Sequence, residues 1–260
     1  MPASGVGNDA MSEIRTLLAG EAWTSIQFDI KGFDFFSRST YHESIEHLQD
    51  ALEADGIETD YIPTGKAAAE FPLSADEIAE YDVVVLSDIG YNTLALPPGT
   101  FDDFERLPNR IRLLEEFVSA GGGLVMVGGY LSFTGFNGKA RYQGTPIETA
   151  LPVTLQHYDD RVERSDGVEP HSTGVDHPVV DGIPDEWPAL LGYNRVTPDD
   201  DAHELVSVDG DPLVVVGEHG DGRSAAFTSD CAPHWGTPEF TDWEGYDAFW
   251  SNLVRWLAGE

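Results

Sequence analysis

The sequence predicts an α/β fold in three layers: a mostly parallel sheet with helices wound on both faces. Three observations carry that prediction. Apolar runs such as Tyr81 to Ser87 and Leu124 to Val127 are continuous rather than alternating, as in strands buried on both sides. Stretches of helical periodicity separate them, and right-handed crossovers then place helices on both faces. Polar clusters follow several of the runs, where ligands reach an open α/β sheet.

The elements follow in order. Residues 1 to about 11 read as a loose tail, with Met11 as an alternative start, and residues 12–260 as one domain. Ile14 to Ala19 is the first strand. A loop rich in aromatics (Trp23, Phe28, Phe33, Phe35, Phe36) is expected up to Ser39. Thr40 and Glu43 have capping-box spacing for a helix running to Ala54, with Gly56 as its stop. Ile57 to Ile62 is the second strand, Ser74 and Glu77 cap a short helix, and Tyr81 to Ser87 is the third strand. A loop, Asp88 to Pro98, follows. Asn109 caps a helix from Arg110 to Ala120, whose Ile111, Leu114 and Val118 share a face. Leu124 to Val127 is the central strand, and it breaks at Gly128-Gly129, where glycine allows close backbone approach. Leu151 to Gln156 suits a strand, and residues 159 to 188, rich in Pro, Gly and Asp, suit an irregular excursion. Glu204 to Val208, Leu213 to Gly217 and Arg223 to Thr228 are three more strands. Asp209-Gly210 and Asp221-Gly222 signal the turns between them. The last helix runs from Trp243 to Ala258, with Phe249, Leu253 and Trp256 inward.

Composition narrows the function classes. Forty-seven acidic residues face 14 basic ones, a formal charge of −33 in 260 residues. Such a charge repels nucleic acid and anionic membranes. The acids are spread along the chain, the pattern of a halophilic surface whose self-repulsion salt screens. The fold is accordingly expected to need salt. Far-UV circular dichroism across a KCl series should show structure lost in dilute buffer, and full structure there would refute the expectation. One cysteine excludes an internal disulfide. No apolar run reaches the ~18 residues of a membrane span, and the N-terminus lacks signal-peptide regions. A cytoplasmic protein is expected. There is no P-loop, GxGxxG or GxSxG, so no cofactor is expected. His171, Asp176, His177 and Asp181 lack ligand spacing and fit turn chemistry, so no metal is expected either.

Four polar clusters follow four strands and should converge at one sheet edge. Glu21 and Trp23 follow the first, and Asp88, Tyr91 and Asn92 the third. Gly129, Tyr130 and Ser132 follow the central strand, and Ser229, Asp230, Cys231, His234 and Trp235 follow the strand ending at Thr228. Each has a plainer reading beside the functional one. Glu21 and Asp88 suit caps, Tyr130 suits packing, His234 suits a loop staple held by Asp230, and Cys231 suits a small buried residue.

The chain resembles the class I glutamine amidotransferase-like superfamily, and within it the putative glutamine amidotransferase-like family. The resemblance rests on Leu18 to Trp23, Lys31 to Asp34, Leu86 to Gly90, Gly128 to Phe133 and Ser229 to Trp235. His177-Pro178 with Gly182-Ile183-Pro184 is similar to a stretch of trehalose-utilisation proteins. The resemblance implies a flavodoxin-like α/β/α domain. It also implies a Gly-x-Cys-x-Gly elbow after the central strand, with a histidine and an acid on later strands. This chain carries Gly128-Gly129-Tyr130-Leu131-Ser132 there, so the thiol of the glutaminase acyl enzyme is missing. His234 falls near the family's histidine, without its His-x-Glu pattern.

Three functions follow as expectations. The first is binding of an unidentified small polar or carbohydrate-like ligand at the strand-end crevice, without glutaminase activity. The second is hydrolysis through Ser132 or Cys231 with His234. The third is assembly, through the aromatic segment Trp23 to Phe36 and a possible homo-oligomer.

Overall fold

The computed structural model describes residues 14–260, so the expected tail at residues 1–11 and the alternative start at Met11 lie outside the described residues. The strands and helices are numbered here in chain order. The first half comprises β1 (Arg15–Gly20), β2 (Ala22–Lys31), β3 (Asp34–Glu43), α1 (Glu46–Ala54), β4 (Glu58–Pro63), α2 (Thr64–Glu70), α3 (Ala75–Ile78), β5 (Val83–Ser87), α4 (Tyr91–Ala95), α5 (Pro98–Phe101), α6 (Arg110–Ser119) and β6 (Gly123–Val127). The second half comprises α7 (Pro146–Ala150), β7 (Val153–Leu155), β8 (Arg161–Val168), β9 (Pro170–Ser172), β10 (Leu190–Asn194), β11 (Val196–Pro198), β12 (His203–Val208), β13 (Asp211–His219), β14 (Gly222–Phe227), α8 (Pro238–Thr241) and α9 (Tyr246–Leu257).

Eight strands form the central sheet in the order β4-β1-β5-β6-β14-β13-β12-β9. The first five run parallel, and the last three are antiparallel. Buried on both faces, the parallel strands inside the edge strand β4 alternate between two cores. Val83, Val85, Val125 and Val127 join Leu48 and Leu52 of α1 and Phe249 and Leu253 of α9. Val84, Leu86, Leu124 and Met126 join Ile111, Leu114 and Val118 of α6 on the other side. The sequence-predicted inner faces of α6 and α9 are thus the buried ones. Two caps also match the sequence. Ser74 Oγ accepts from Glu77 N at 3.3 Å, and Asn109 Oδ1 accepts from Ile111 N at 3.0 Å.

Other expectations are corrected. The aromatic segment expected as a loop is a β-ribbon, β2 paired antiparallel with β3 from Ala22↔Glu43 to Lys31↔Asp34. Its apolar residues alternate with polar ones, but they lie on exposed strands and contribute nothing to the core. Thr40 and Glu43 belong to β3 and form no capping box, because α1 begins at Glu46 after Ile45, without a side-chain cap. The expected loop Asp88 to Pro98 contains α4. The excursion 159–188 contains β8, which pairs antiparallel with β10, while β11 pairs with β7. β7 falls within the strand expected over Leu151 to Gln156, whereas β8 and β11 were unreadable because β8 is polar on most of its length and β11 is three residues long. No helix among the described residues is long and apolar enough to cross a membrane.

Candidate functional site

Four adjacent parallel strands, β1, β5, β6 and β14, end at one edge of the sheet, and each delivers site residues there. β1 ends at Gly20, which passes so close to β5 that a Cβ would lie 1.6 Å from Ser87 O. Glu21 follows at φ 45°, its N–H donating to Ser87 O at 3.0 Å. Asp88, after β5, has φ 43°. Left-handed backbone is costly for these residue types, and such strain concentrates where function holds a side chain in place. Here it turns both carboxyls toward the strand ends.

The elbow after β6 is held from two sides. A Cβ on Gly128 would lie 2.1 Å from Thr228 O of the neighbouring strand end. Gly129, at φ 148°, leaves no room beside Asp88, where a Cβ would fall 2.8 Å from Oδ1. Leu131 N–H donates to Asp88 Oδ1 at 2.6 Å, and Asp88 N–H donates to Ser132 Oγ at 3.2 Å. Gly129 N–H donates to Asn194 Oδ1 at 2.9 Å, and Asn194 Nδ2 donates to Asp160 at 2.8 Å. Asp160 also accepts from Thr134 N at 2.9 Å and Gly135 N at 3.0 Å. Burial pushes Asp160 up to about 6 despite these three donors.

The result is a cavity of about 570 Å³ over the strand ends, lined by Glu21, Trp23, Ser44, Asp88, Tyr130, Leu131, Phe136, Lys139, Asp230, Pro233 and His234. The structure therefore brings together Glu21, Trp23, Asp88, Tyr130, Asp230 and His234, as the sequence suggested. Tyr130 stands upright in it. Its hydroxyl donates to Glu163 Oε1 at 2.7 Å, and its ring meets the edge of His234 at a centroid distance of 4.6 Å. His234 Nδ1 lies 3.3 Å from Asp230 Oδ2, and its ring stacks on Trp235.

Other sequence candidates sit outside the lining. Ser132 is buried, its hydroxyl engaged by Asp88 N–H. Cys231 is fully buried beneath the cavity, its Sγ 3.6 Å from Ser87 Oγ. Trp235 is buried behind His234. Tyr91 packs on Tyr142 under Arg141, and Asn92 accepts from the same arginine at 3.3 Å. Sequence reasoning missed Glu163 and Asp160, which come from the segment read as irregular, and Asn194, which ends β10 just beyond it. It also missed Phe136 and Lys139, which stand just beyond the glycine-rich elbow.

Acid dominates the electrostatics. Burial, then the charges of Asp230 and Asp88, push Glu21 well above the usual carboxylate range, and Ser87 Oγ donates to it. Burial and Asp230 push Asp88 up to about 6, against the Leu131 N–H and His234. The hydrogen bond to Asp230 raises His234 despite its burial. Burial, Glu21 and Asp230 push the Cys231 thiol well up. The Tyr130 phenol is raised chiefly by its bond to Glu163. Glu21, Asp230 and Cys231 place possible ligand atoms within 4.8 Å of one another. The arrangement offers several acceptors, a buried acid pushed toward its neutral form, a histidine held by Asp230 and aromatic walls. It offers no activated nucleophile of the thiol type.

An elbow after the central strand, faced by groups from the neighbouring strand ends, is the architecture of class I glutamine amidotransferase-like proteins. The chain belongs to the family described as putative glutamine amidotransferase, whose model matches residues 15–259. A cytoplasmic protein from Salmonella typhimurium is 41% identical, with TM-score 0.90 over 93% of this chain and 98% of its own. A second cytoplasmic protein, from Salmonella typhimurium LT2, is 40% identical, with TM-score 0.91 over 94% and 99%. A ThuA-like protein from Bacteroides uniformis shares the fold at 15% identity and TM-score 0.57, over 99% and 95%. No curated protein matches the chain.

Proposed function

We propose that this chain is a cytoplasmic, ligand-binding member of its family that has no glutaminase activity. One observation carries the reading: the elbow presents Tyr130, and the only cysteine of the sequence is sealed below the cavity with its thiol pushed up. Acyl-enzyme formation from glutamine needs an accessible thiolate. The hydrolase alternative has little support, because Ser132 and Cys231 are both buried and outside the lining. The cavity suits a small polyhydroxylated, carbohydrate-like ligand. Asp88 and Asp230 accept hydroxyl hydrogens, Lys139 donates, and Trp23, Tyr130 and Phe136 supply apolar walls. The location follows the two Salmonella relatives, both described as cytoplasmic proteins.

In a coupled glutamate assay in multimolar KCl, no ammonia release from glutamine is expected. Turnover that Tyr130→Phe abolishes would overturn this reading. A thermal-shift screen of monosaccharides and polyols is expected to yield a stabilising compound. His234→Ala should weaken that stabilisation about tenfold or more in apparent affinity, as loss of a charged hydrogen bond would. Its own melting temperature should stay close to wild type. A drop of many degrees in unliganded His234→Ala would instead make the Asp230–His234 pair a loop staple.

A further inference from the structure

The ribbon β2–β3 is the least explained feature of the fold. It leaves the domain just after Glu21, and its strands are exposed along nearly their whole length. Cross-strand partners share a face of a ribbon, and alternate residues share it along a strand. One face therefore carries Ala22–Glu43 at its base and then Thr24–Tyr41, Ile26–Ser39, Phe28–Ser37 and Ile30–Phe35. The other carries Trp23–His42, whose rings stack, then Ser25–Thr40, Gln27–Arg38, Asp29–Phe36 and Lys31–Asp34.

The two faces differ in kind. The second satisfies itself: Arg38 Nε donates to Gln27 Oε1 at 3.0 Å, Gln27 donates to Asp29 at 3.3 Å, and Lys31 lies over the Phe36 ring. The first holds a single charged residue, Glu43 at its base, where the Tyr41 hydroxyl donates to it, and none from Thr24 to Ile30 or from Phe35 to Tyr41, in a chain of formal charge −33. Its five large side chains are exposed by between 54% (Tyr41) and 77% (Ile30). An isolated two-stranded ribbon is at best marginally stable in water, and a contiguous apolar patch of this size marks an interface.

The geometry points to a second copy of this chain as the occupant, with the apolar stretches of the first faces of two ribbons stacked about a two-fold axis. Covering these side chains removes on the order of 700–800 Å² per copy from water, close to what each partner of a standard stable interface buries. The face is also self-complementary in shape. β2 contributes the bulky row Ile26, Phe28, Ile30, and β3 contributes the shallow steps Ser37 and Ser39. A two-fold axis lays each bulky row over the other copy's shallow one, as an isologous contact requires. Two molecules so strongly acidic repel least where they meet through a patch that is uncharged away from its base.

Sedimentation equilibrium of the full chain in multimolar KCl tests this. The expected mass is twice 28.4 kDa. The double variant Phe28→Ser/Ile30→Ser should run as a monomer, its association weakened at least about 100-fold, as expected for central apolar anchors. Ser37→Glu/Ser39→Glu removes no apolar group, places like charges in the shallow rows, and should also be monomeric. Gln27→Ala, on the opposite face, should remain dimeric. Far-UV circular dichroism should show the central fold intact in all three. A wild-type monomer up to the highest soluble concentration would overturn the proposal, and so would a dimer that survives both double substitutions on the apolar face.

Discussion

Gly20→Ala is expected to abolish folding or to cost more than about 4 kcal/mol, in the range reserved for severe single substitutions. Two independent reasons act at this position. Its φ is +127°, which L side chains rarely adopt, and the added methyl would sit 1.6 Å from the backbone oxygen of Ser87. That oxygen accepts the Glu21 N–H, and Gly20 O itself accepts from the Tyr61 hydroxyl at 3.1 Å. The obstacle is backbone between two central strands, so no rotamer change relieves it. β1 would have to separate from β5, and the cavity floor would go with it. Gly128→Ala should behave in the same way, its methyl 2.1 Å from Thr228 O. Gly65→Ala in α2 is the control: nothing lies within 4 Å of its Cβ, so it should be neutral or slightly stabilising. Urea melts of the three variants check this, and a Gly20→Ala protein that melts like wild type would refute the close approach of β1 to β5.

Mild acid is expected to stabilise the protein. Asp160 and Asp88 sit at about 6 in the fold against 3.8 for an unperturbed aspartate. Each group raised in this way adds stability fully below about 4 and loses it as pH rises through about 6. Glu21, raised well above the usual carboxylate range by its burial, acts in the same direction. His234 is also raised, but its side chain is 39% exposed, so solvent screens the pair and its part in the pH dependence is small. Asp159 opposes them. Its hydrogen bonds to Arg161 hold it near 2, so it costs stability only as pH falls below about 4. Stability should therefore peak near pH 4–5. For buried Asp160 alone the shift corresponds to on the order of 3 kcal/mol between pH 4 and 8. At constant high salt the melting temperature should fall by about 5–10 °C from pH 5 to pH 8. Asp88→Asn keeps an oxygen for the Leu131 N–H and removes the titration, so its melting temperature should fall less over that range. A wild-type melting temperature that rises from pH 5 to pH 8 would contradict the burial of these acids.

The sequence by itself determined the parallel core. Continuous runs such as Val83 to Ser87 and Leu124 to Val127 can be satisfied only by burial on both faces, and the periodicity of α6 and α9 states which sides cover them. It also determined the edge at which the site forms, because polar residues directly after buried parallel strands have only the strand ends to occupy. The missing elbow thiol was equally legible, since one cysteine leaves no second candidate. The tertiary structure decided what each of those polar residues faces. Glu21, Asp88, Tyr130, Asp230 and His234 reach the cavity, while Ser132 and Cys231 turn beneath it, a difference of side-chain direction over one or two residues. It alone supplied Glu163, Asp160 and Asn194, which approach the elbow from residues far along the chain and carry no local signal. It also turned the aromatic segment after β1 into a ribbon. Periodicity of two marks a strand, but which face is covered, and by what, depends on contacts that lie outside the strand's own residues.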